Sequence, residues 1–93
     1  MIAPMEVRYD EEVDVLCVRY ARAKRLRTVF VDPDGEIMAD LAHDGSVLFL
    51  ELLYVGSEQR MALDAFAQAH DLVLPPEVDT FQRSCAAGMK VAG

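Results

Sequence analysis

Cysteine, long apolar runs and basic residues are all scarce in this sequence, and each shortage excludes a class of protein. The two cysteines, Cys17 and Cys85, lie far apart and form no Cys-x-x-Cys pair, which argues against a disulfide scaffold and a thiolate metal site. The longest apolar stretch, residues 47–55, contains Glu51 and is far shorter than the roughly 20 residues that cross a bilayer. The amino-terminal residues show no basic segment followed by an apolar one. We therefore expect a cytoplasmic protein with reduced thiols and no membrane segment.

Sequence motifs of catalysis are also missing. No serine lies in a Gly-x-Ser-x-Gly turn, and no glycine-rich phosphate loop is present. The two histidines, His43 and His70, have no third ligand at a known zinc spacing. These absences favour a protein without catalytic activity, metal or cofactor.

The charge of the chain is acidic but unevenly distributed. Nine basic against sixteen acidic residues give a net charge of −7, which disfavours binding to nucleic acid. Five of the nine basic residues nevertheless fall within residues 19–27: Arg19, Arg22, Lys24, Arg25 and Arg27. This basic segment is either a solvated connection or a binding surface for an acidic ligand or RNA, and the sequence leaves both interpretations open.

Five segments of alternating or apolar character predict β-strands at residues 5–10, 13–20, 28–31, 36–41 and 47–54. The turn signals between them are short, and two contain Asp-Gly: residues 32–35 (Asp-Pro-Asp-Gly) and residues 42–45. Short turns join strands that are neighbours in the sheet. The sequence therefore predicts a five-stranded antiparallel, meander-like sheet over residues 5–55.

After Gly56 the period changes from two residues to that of a helix. Ser57 is a plausible N-cap for a helix that ends near His70, and Pro76 can begin a second helix that ends near Ala87, before Gly88. A chain of 93 residues has room for one domain. We expect an α+β fold, a single domain of residues 1–93 with a helical extension over residues 57–88.

Strands two and five are apolar on both faces, because Val15 and Cys17 alternate with Leu16 and Val18, and Glu51 is the one polar residue of residues 47–54. Such strands need a cover on each side. Either the helices straddle the sheet or a second copy covers one face. We predict a homodimer that acts as a binding or regulatory module. The positions expected at its interface are Val15, Cys17, Phe49 and Leu53.

Three acids are placed by the pattern inside strands with apolar neighbours: Asp14, Asp40 and Glu51. Carboxylates in such surroundings are candidates for a metal or catalytic site, and the alternative function is a divalent-metal-dependent enzyme built around Asp40 and Glu51. The structural interpretation is that Glu51 faces an edge or pairs with an arginine such as Arg8 or Arg19, because an isolated buried charge is costly.

Two short motifs resemble a known family. Residues 9–18 (Tyr-Asp-Glu-Glu-Val-Asp-Val-Leu-Cys-Val), and Asp40 followed by Asp44-Gly45, Val47 and residues 50–53 (Leu-Glu-Leu-Leu), resemble the two signatures of the domain of unknown function 2283 family. The resemblance covers residues 5–57. Phe49 replaces a glycine that is frequent in the family, and Ala42 replaces a second aspartate. The resemblance implies a small accessory protein and no particular reaction.

Overall fold

The computed structural model describes residues 1–81 and confirms the α+β fold. A sheet of five strands comes first along the chain, and two helices follow. The second helix, α2, occupies residues 77–81 of the described part; the rest of its predicted span, with Cys85 and Gly88, lies outside the described residues. The other elements are β1 (Glu6–Asp10), β2 (Val15–Arg19), β3 (Arg27–Phe30), β4 (Ile37–Leu41), β5 (Val47–Leu52) and α1 (Ser57–Ala69).

The strands are ordered β1-β2-β5-β4-β3, and every pair is antiparallel. Consecutive strands pair at three of the four connections, as expected of a meander, but β2 pairs with β5 instead of β3. The basic connection after β2 crosses the end of the sheet, where the Tyr20 amide donates to the Leu48 carbonyl and the Leu26 amide to the Leu41 carbonyl. This order places β5, the most apolar strand, at the centre of the sheet.

The turn between β1 and β2 is longer than the sequence pattern predicts. Val13 and Asp14 are expected at the start of the second strand, but β2 begins at Val15. Asp14 has φ 53°, which a β-strand does not allow and which aspartate tolerates better than most residues. Its carboxylate accepts a hydrogen bond from the Tyr9 hydroxyl. Asp14 is therefore a turn residue and not a strand carboxylate.

Helix α1 begins one residue earlier than predicted, because Gly56 and not Ser57 is the N-cap. The Gly56 amide donates to Gln59 Oε1 at 3.1 Å, so the side chain in the first turn satisfies an amide at the helix end. A Cβ at position 56 would lie 2.9 Å from the Tyr54 side chain and from Gln59 Oε1. Glycine is therefore the residue that fits between the end of the sheet and the start of α1.

The hydrophobic core lies on one face of the sheet. Leu63 and Ala67 of α1, and Val78 and Phe81 of α2, belong to the same buried cluster as the inward side chains of the strands. The described parts of both helices therefore cover the same face, so of the two alternatives left open by the sequence, helices that straddle the sheet are not what residues 1–81 form. The strand members of the cluster are Leu16, Val18, Ile37, Ala39, Leu41, Val47, Leu50 and Leu52.

Candidate functional site

The second face of the sheet, which we call the outer face, is the candidate functional site. Strand pairing places its side chains in cross-strand rows, since residues opposite one another point to the same side. One row crosses the sheet from Glu6 to Thr28 and the next from Arg8 to Phe30. The outer face comprises Glu6, Arg8, Asp10, Val15, Cys17, Arg19, Thr28, Phe30, Met38, Asp40, Phe49 and Glu51.

The apolar side chains of the outer face are only partly covered by the described residues. Cys17 and Phe49 are half-buried, Phe30 is 69% exposed and Val15 is 9% exposed. Leu53, which follows β5, is 39% exposed. The described residues therefore leave part of this face open, and its contact with a second copy stays a prediction. A charged side chain covers part of the Phe49 ring, because the Arg19 guanidinium lies 4.8 Å from the ring centre.

Charges on the outer face are balanced. Its four acids are Glu6, Asp10, Asp40 and Glu51, and its own arginines are Arg8 and Arg19. Two further arginines reach the face from the connection after β2. Arg22 lies 3.1 Å from the Glu6 carboxylate, and Arg25 lies 3.9 Å from the Asp40 carboxylate. The chain as a whole has a net charge of −7, so the excess of acid lies elsewhere.

Glu51 forms no ion pair with the described residues, so the alternative that pairs it with Arg8 or Arg19 is not what residues 1–81 show. It lies opposite Cys17 across the β2–β5 pair. Burial raises the pKa of the Cys17 thiol, the Glu51 carboxylate raises it further, and Arg8 partly opposes both effects. The thiol therefore stays protonated near neutral pH and is a weak nucleophile.

Of the three acids singled out by the sequence, Asp14 lies apart from the other two, in the β1–β2 turn. Asp40 and Glu51 lie on one face of adjacent strands, in neighbouring rows, opposite Phe49 and Met38 respectively. Asp40 is already engaged, since it accepts a hydrogen bond from the Thr28 hydroxyl at 2.6 Å. Within residues 1–81, no group of three or more His, Cys, Asp or Glu side chains is placed to hold a metal ion.

The basic segment is divided between engaged and free side chains. Arg19 stacks on Phe49, and Arg22 and Arg25 pair with acids of the outer face. Lys24 and Arg27 are exposed and have no acidic partner among the described residues. Two basic side chains of this segment are therefore free of an ion pair with the described residues, and both lie beside the amino-terminal end of β3.

One buried polar cluster is missed by sequence reasoning. Asp32 is 3% exposed, and its carboxylate accepts hydrogen bonds from the Ile37 amide at 2.9 Å and from Gln59 Nε2 at 3.3 Å. The same Gln59 nitrogen donates to Asp34 at 2.9 Å. These bonds fasten the β3–β4 turn to the start of α1. The sequence indicates that Asp32 opens a turn, but it does not indicate that Gln59, which is distant in the chain, is its partner.

An apolar cleft of about 380 Å³ lies between β1 and α2. Only one carboxylate, that of Glu77, is among its lining residues, so the cleft brings together no acid–base pair within the described part of the chain. The lining residues are Val7, Tyr9, Leu16, Glu77, Thr80 and Phe81.

Comparison with known proteins gives no match to a family model, to a curated protein or to a solved structure. The resemblance of residues 5–57 to the domain of unknown function 2283 family stays a prediction. The helices described here are too short or too polar to span a membrane.

Proposed function

We propose that this protein is a small cytoplasmic homodimer that acts as a binding or regulatory module and has no catalytic activity. The observation that carries the proposal is the outer face, which the described residues leave partly uncovered and which includes Phe30 at 69% exposure. Phe30 lies in one cross-strand row with the half-buried Met38 and Cys17, and apolar patches of this kind often mark interaction sites.

Charge supports a second copy as the partner. Two chains of net charge −7 repel one another on average. The outer face, with its four acids and four arginines, is a surface where two copies can meet without that repulsion. Most oligomers of one chain are closed two-fold pairs.

The absence of catalysis is supported by how the reactive groups are arranged. Glu51 lies opposite Cys17, but burial and the Glu51 carboxylate raise the pKa of that thiol, and the Asp40 carboxylate already accepts a hydrogen bond from Thr28. A catalytic site needs its reactive groups to be activated. The protonated Cys17 thiol is not.

The association is tested by sedimentation equilibrium over a wide dilution range. We expect twice the chain mass of 10.3 kDa at micromolar concentration, and at least a tenfold weaker association for Phe30→Asp, because the aspartate places a charge in the apolar contact. The matched control is Met61→Asp, since Met61 is 74% exposed on α1, away from the outer face. A mass of one chain at every dilution would refute the proposal, as would equal effects of the two substitutions.

A further inference from the structure

The free edge of β3 indicates how two copies of the chain can associate. β3 lies at the end of the sheet and pairs only with β4. The Val31 amide donates to the Ile37 carbonyl at 2.8 Å. Val31 and Ile37, which lie opposite one another, are therefore a hydrogen-bonded pair at the end of the β3–β4 pairing. Hydrogen-bonded positions recur at every second residue of an antiparallel pair. The backbone groups of Thr28 and Phe30 therefore point away from β4.

These outward groups make no backbone hydrogen bond to the loops and turns of the described chain. Thr28 and Phe30 are both exposed, and residues 27–30 contain no proline or bulge, two devices that protect an edge from further pairing. β1 forms the opposite edge of the sheet, and its Tyr9 ring packs edge-on against Phe81 of α2 at 6.0 Å on the helix-covered face. Within the described residues, the β3 edge is thus open to further pairing.

The charges beside the β3 edge have opposite signs at its two ends. Lys24 and Arg27 lie at the amino-terminal end and have no acidic partner among residues 1–81. Asp34 and Glu36 lie beyond the carboxyl-terminal end, in and after the β3–β4 turn. An antiparallel strand of the same sequence reverses this order, so its acidic end would lie beside the basic end of the first copy. Charge complementarity therefore favours a second copy of this chain as the partner.

We propose that two copies pair through antiparallel β3 strands around a two-fold axis at Val29, which joins the two sheets into one of ten strands. This inference rests on the proposed homodimer and places its contact at the β3 edge of the outer face, at Phe30, so that most of the outer face lies outside the contact. In this register Thr28 lies opposite Phe30 of the second copy, and the reverse pair forms by symmetry. The two pairs close four backbone hydrogen bonds. The exposed Phe30 ring then packs beside a threonine, and the two outer faces become one continuous surface.

The register is tested by cysteine cross-linking in a variant that lacks the native thiols, Cys17→Ser with Cys85→Ser. Val29→Cys places two thiols at a position without backbone hydrogen bonds, where paired Cα atoms are about 4.5 Å apart, within the range that a disulfide spans. The control is Thr28→Cys, since the two copies of that residue are diagonal and roughly 7–8 Å or more apart. Under mild oxidation we expect a covalent dimer for Val29→Cys and at least tenfold less for Thr28→Cys.

Exchange of the backbone amides of the unsubstituted protein gives a second measurement, which does not depend on how Val29→Cys folds. The amides of Thr28 and Phe30 should exchange slowly at concentrations where the dimer forms, and at least tenfold faster after dilution to the monomer. A dimer by sedimentation that shows neither selective cross-linking nor this protection would overturn the β3 geometry and leave the proposed homodimer standing. A monomer at every concentration would overturn both.

Discussion

At the scale of single residues, Tyr20 shows how one buried hydroxyl makes stability depend on pH. It lies in the core at 5% exposure, and its hydroxyl donates to the Val73 carbonyl at 2.8 Å. Burial disfavours the phenolate and raises the pKa of Tyr20 from 10.0 to about 12. The hydroxyl therefore ties the end of β2 to the segment between α1 and α2 only while it is protonated.

The pKa of Tyr20 predicts a loss of stability at alkaline pH. Because the folded pKa lies above the unfolded one, the stabilisation is complete below about pH 10 and is lost as the pH rises toward 12. Two pKa units correspond to a loss of up to about 3 kcal/mol. Tyr20→Phe should be less stable than the unsubstituted protein at pH 8, by about 1 kcal/mol. The difference should shrink or reverse by pH 12.

Urea unfolding of both proteins at several pH values between 8 and 12 measures this difference. Other groups that titrate in the same range, such as lysines, affect both proteins alike, so the comparison isolates Tyr20. A difference in stability that stays constant from pH 8 to 12 would contradict the assignment.

At the scale of secondary-structure elements, the Asp32 cluster holds the β3–β4 hairpin against α1. The Asp32 carboxylate receives a backbone amide from β4 and a side-chain amide from α1. Buried polar groups that lose a partner cost more than the hydrogen bond itself contributes. The position of α1 over the sheet therefore depends on this turn as well as on the apolar core.

Removal of the Asp32 carboxylate should destabilise the fold without changing the sheet. For Asp32→Ala we expect a loss of about 1–3 kcal/mol in the free energy of unfolding, because the Ile37 amide and the Gln59 side chain are left without their acceptor. The control is Glu11→Ala, an exposed acid of the β1–β2 turn, which should change stability by less than about 0.5 kcal/mol. Chemical denaturation measures both, and similar values for the two variants would argue against the role of Asp32.

The elements were predictable because their signals are local. Alternation of apolar residues predicts all five strands to within two residues, and the Asp-Gly turns are confirmed by φ values of 71° at Gly35 and 85° at Gly45. The partner of a strand is not a local property. The pattern in β2 is equally compatible with β3 or β5 as its neighbour, and the choice of β5 follows from burying the most apolar strand at the centre.

The candidate site was predictable only in part, because the contacts of its side chains also depend on which strands are neighbours. Alternation correctly places Cys17, Phe49 and Glu51 on one face. It does not show that the Arg19 side chain lies over the Phe49 ring. Long side chains can reach several neighbours, so their contacts depend on the sheet order, which the sequence pattern does not specify.

At the scale of the whole molecule, the carboxylates of the described residues are distributed over several regions. Acids of the β1–β2 turn, the outer face and the Asp32 cluster belong to three separate regions, and no group of three metal-binding side chains forms within residues 1–81. The net charge of −7 is therefore a property of the surface in general and not of one cation site.

This arrangement predicts that divalent cations do not stabilise the protein. A metal bound to the folded state at a hundred times its Kd would contribute about 2.7 kcal/mol, which raises the Tm of a domain of this size by roughly 10 °C or more. We expect no such shift when 5 mM Mg²⁺ or Mn²⁺ is added, with sodium chloride of equal ionic strength as the control. A rise specific to one cation would support the alternative of a metal-dependent enzyme.

The β2–β5 pairing also has a consequence for the order of folding. The hairpin of β1 with β2 and the three-stranded unit of β3, β4 and β5 can each close around short turns, whereas β2 and β5 join residues such as Arg19 and Phe49 that are 30 positions apart in the chain. Closing so long a loop has a high entropic cost before any contact compensates for it. The two units should therefore form early, and the pairing of β2 with β5 should limit the rate at which the complete sheet folds.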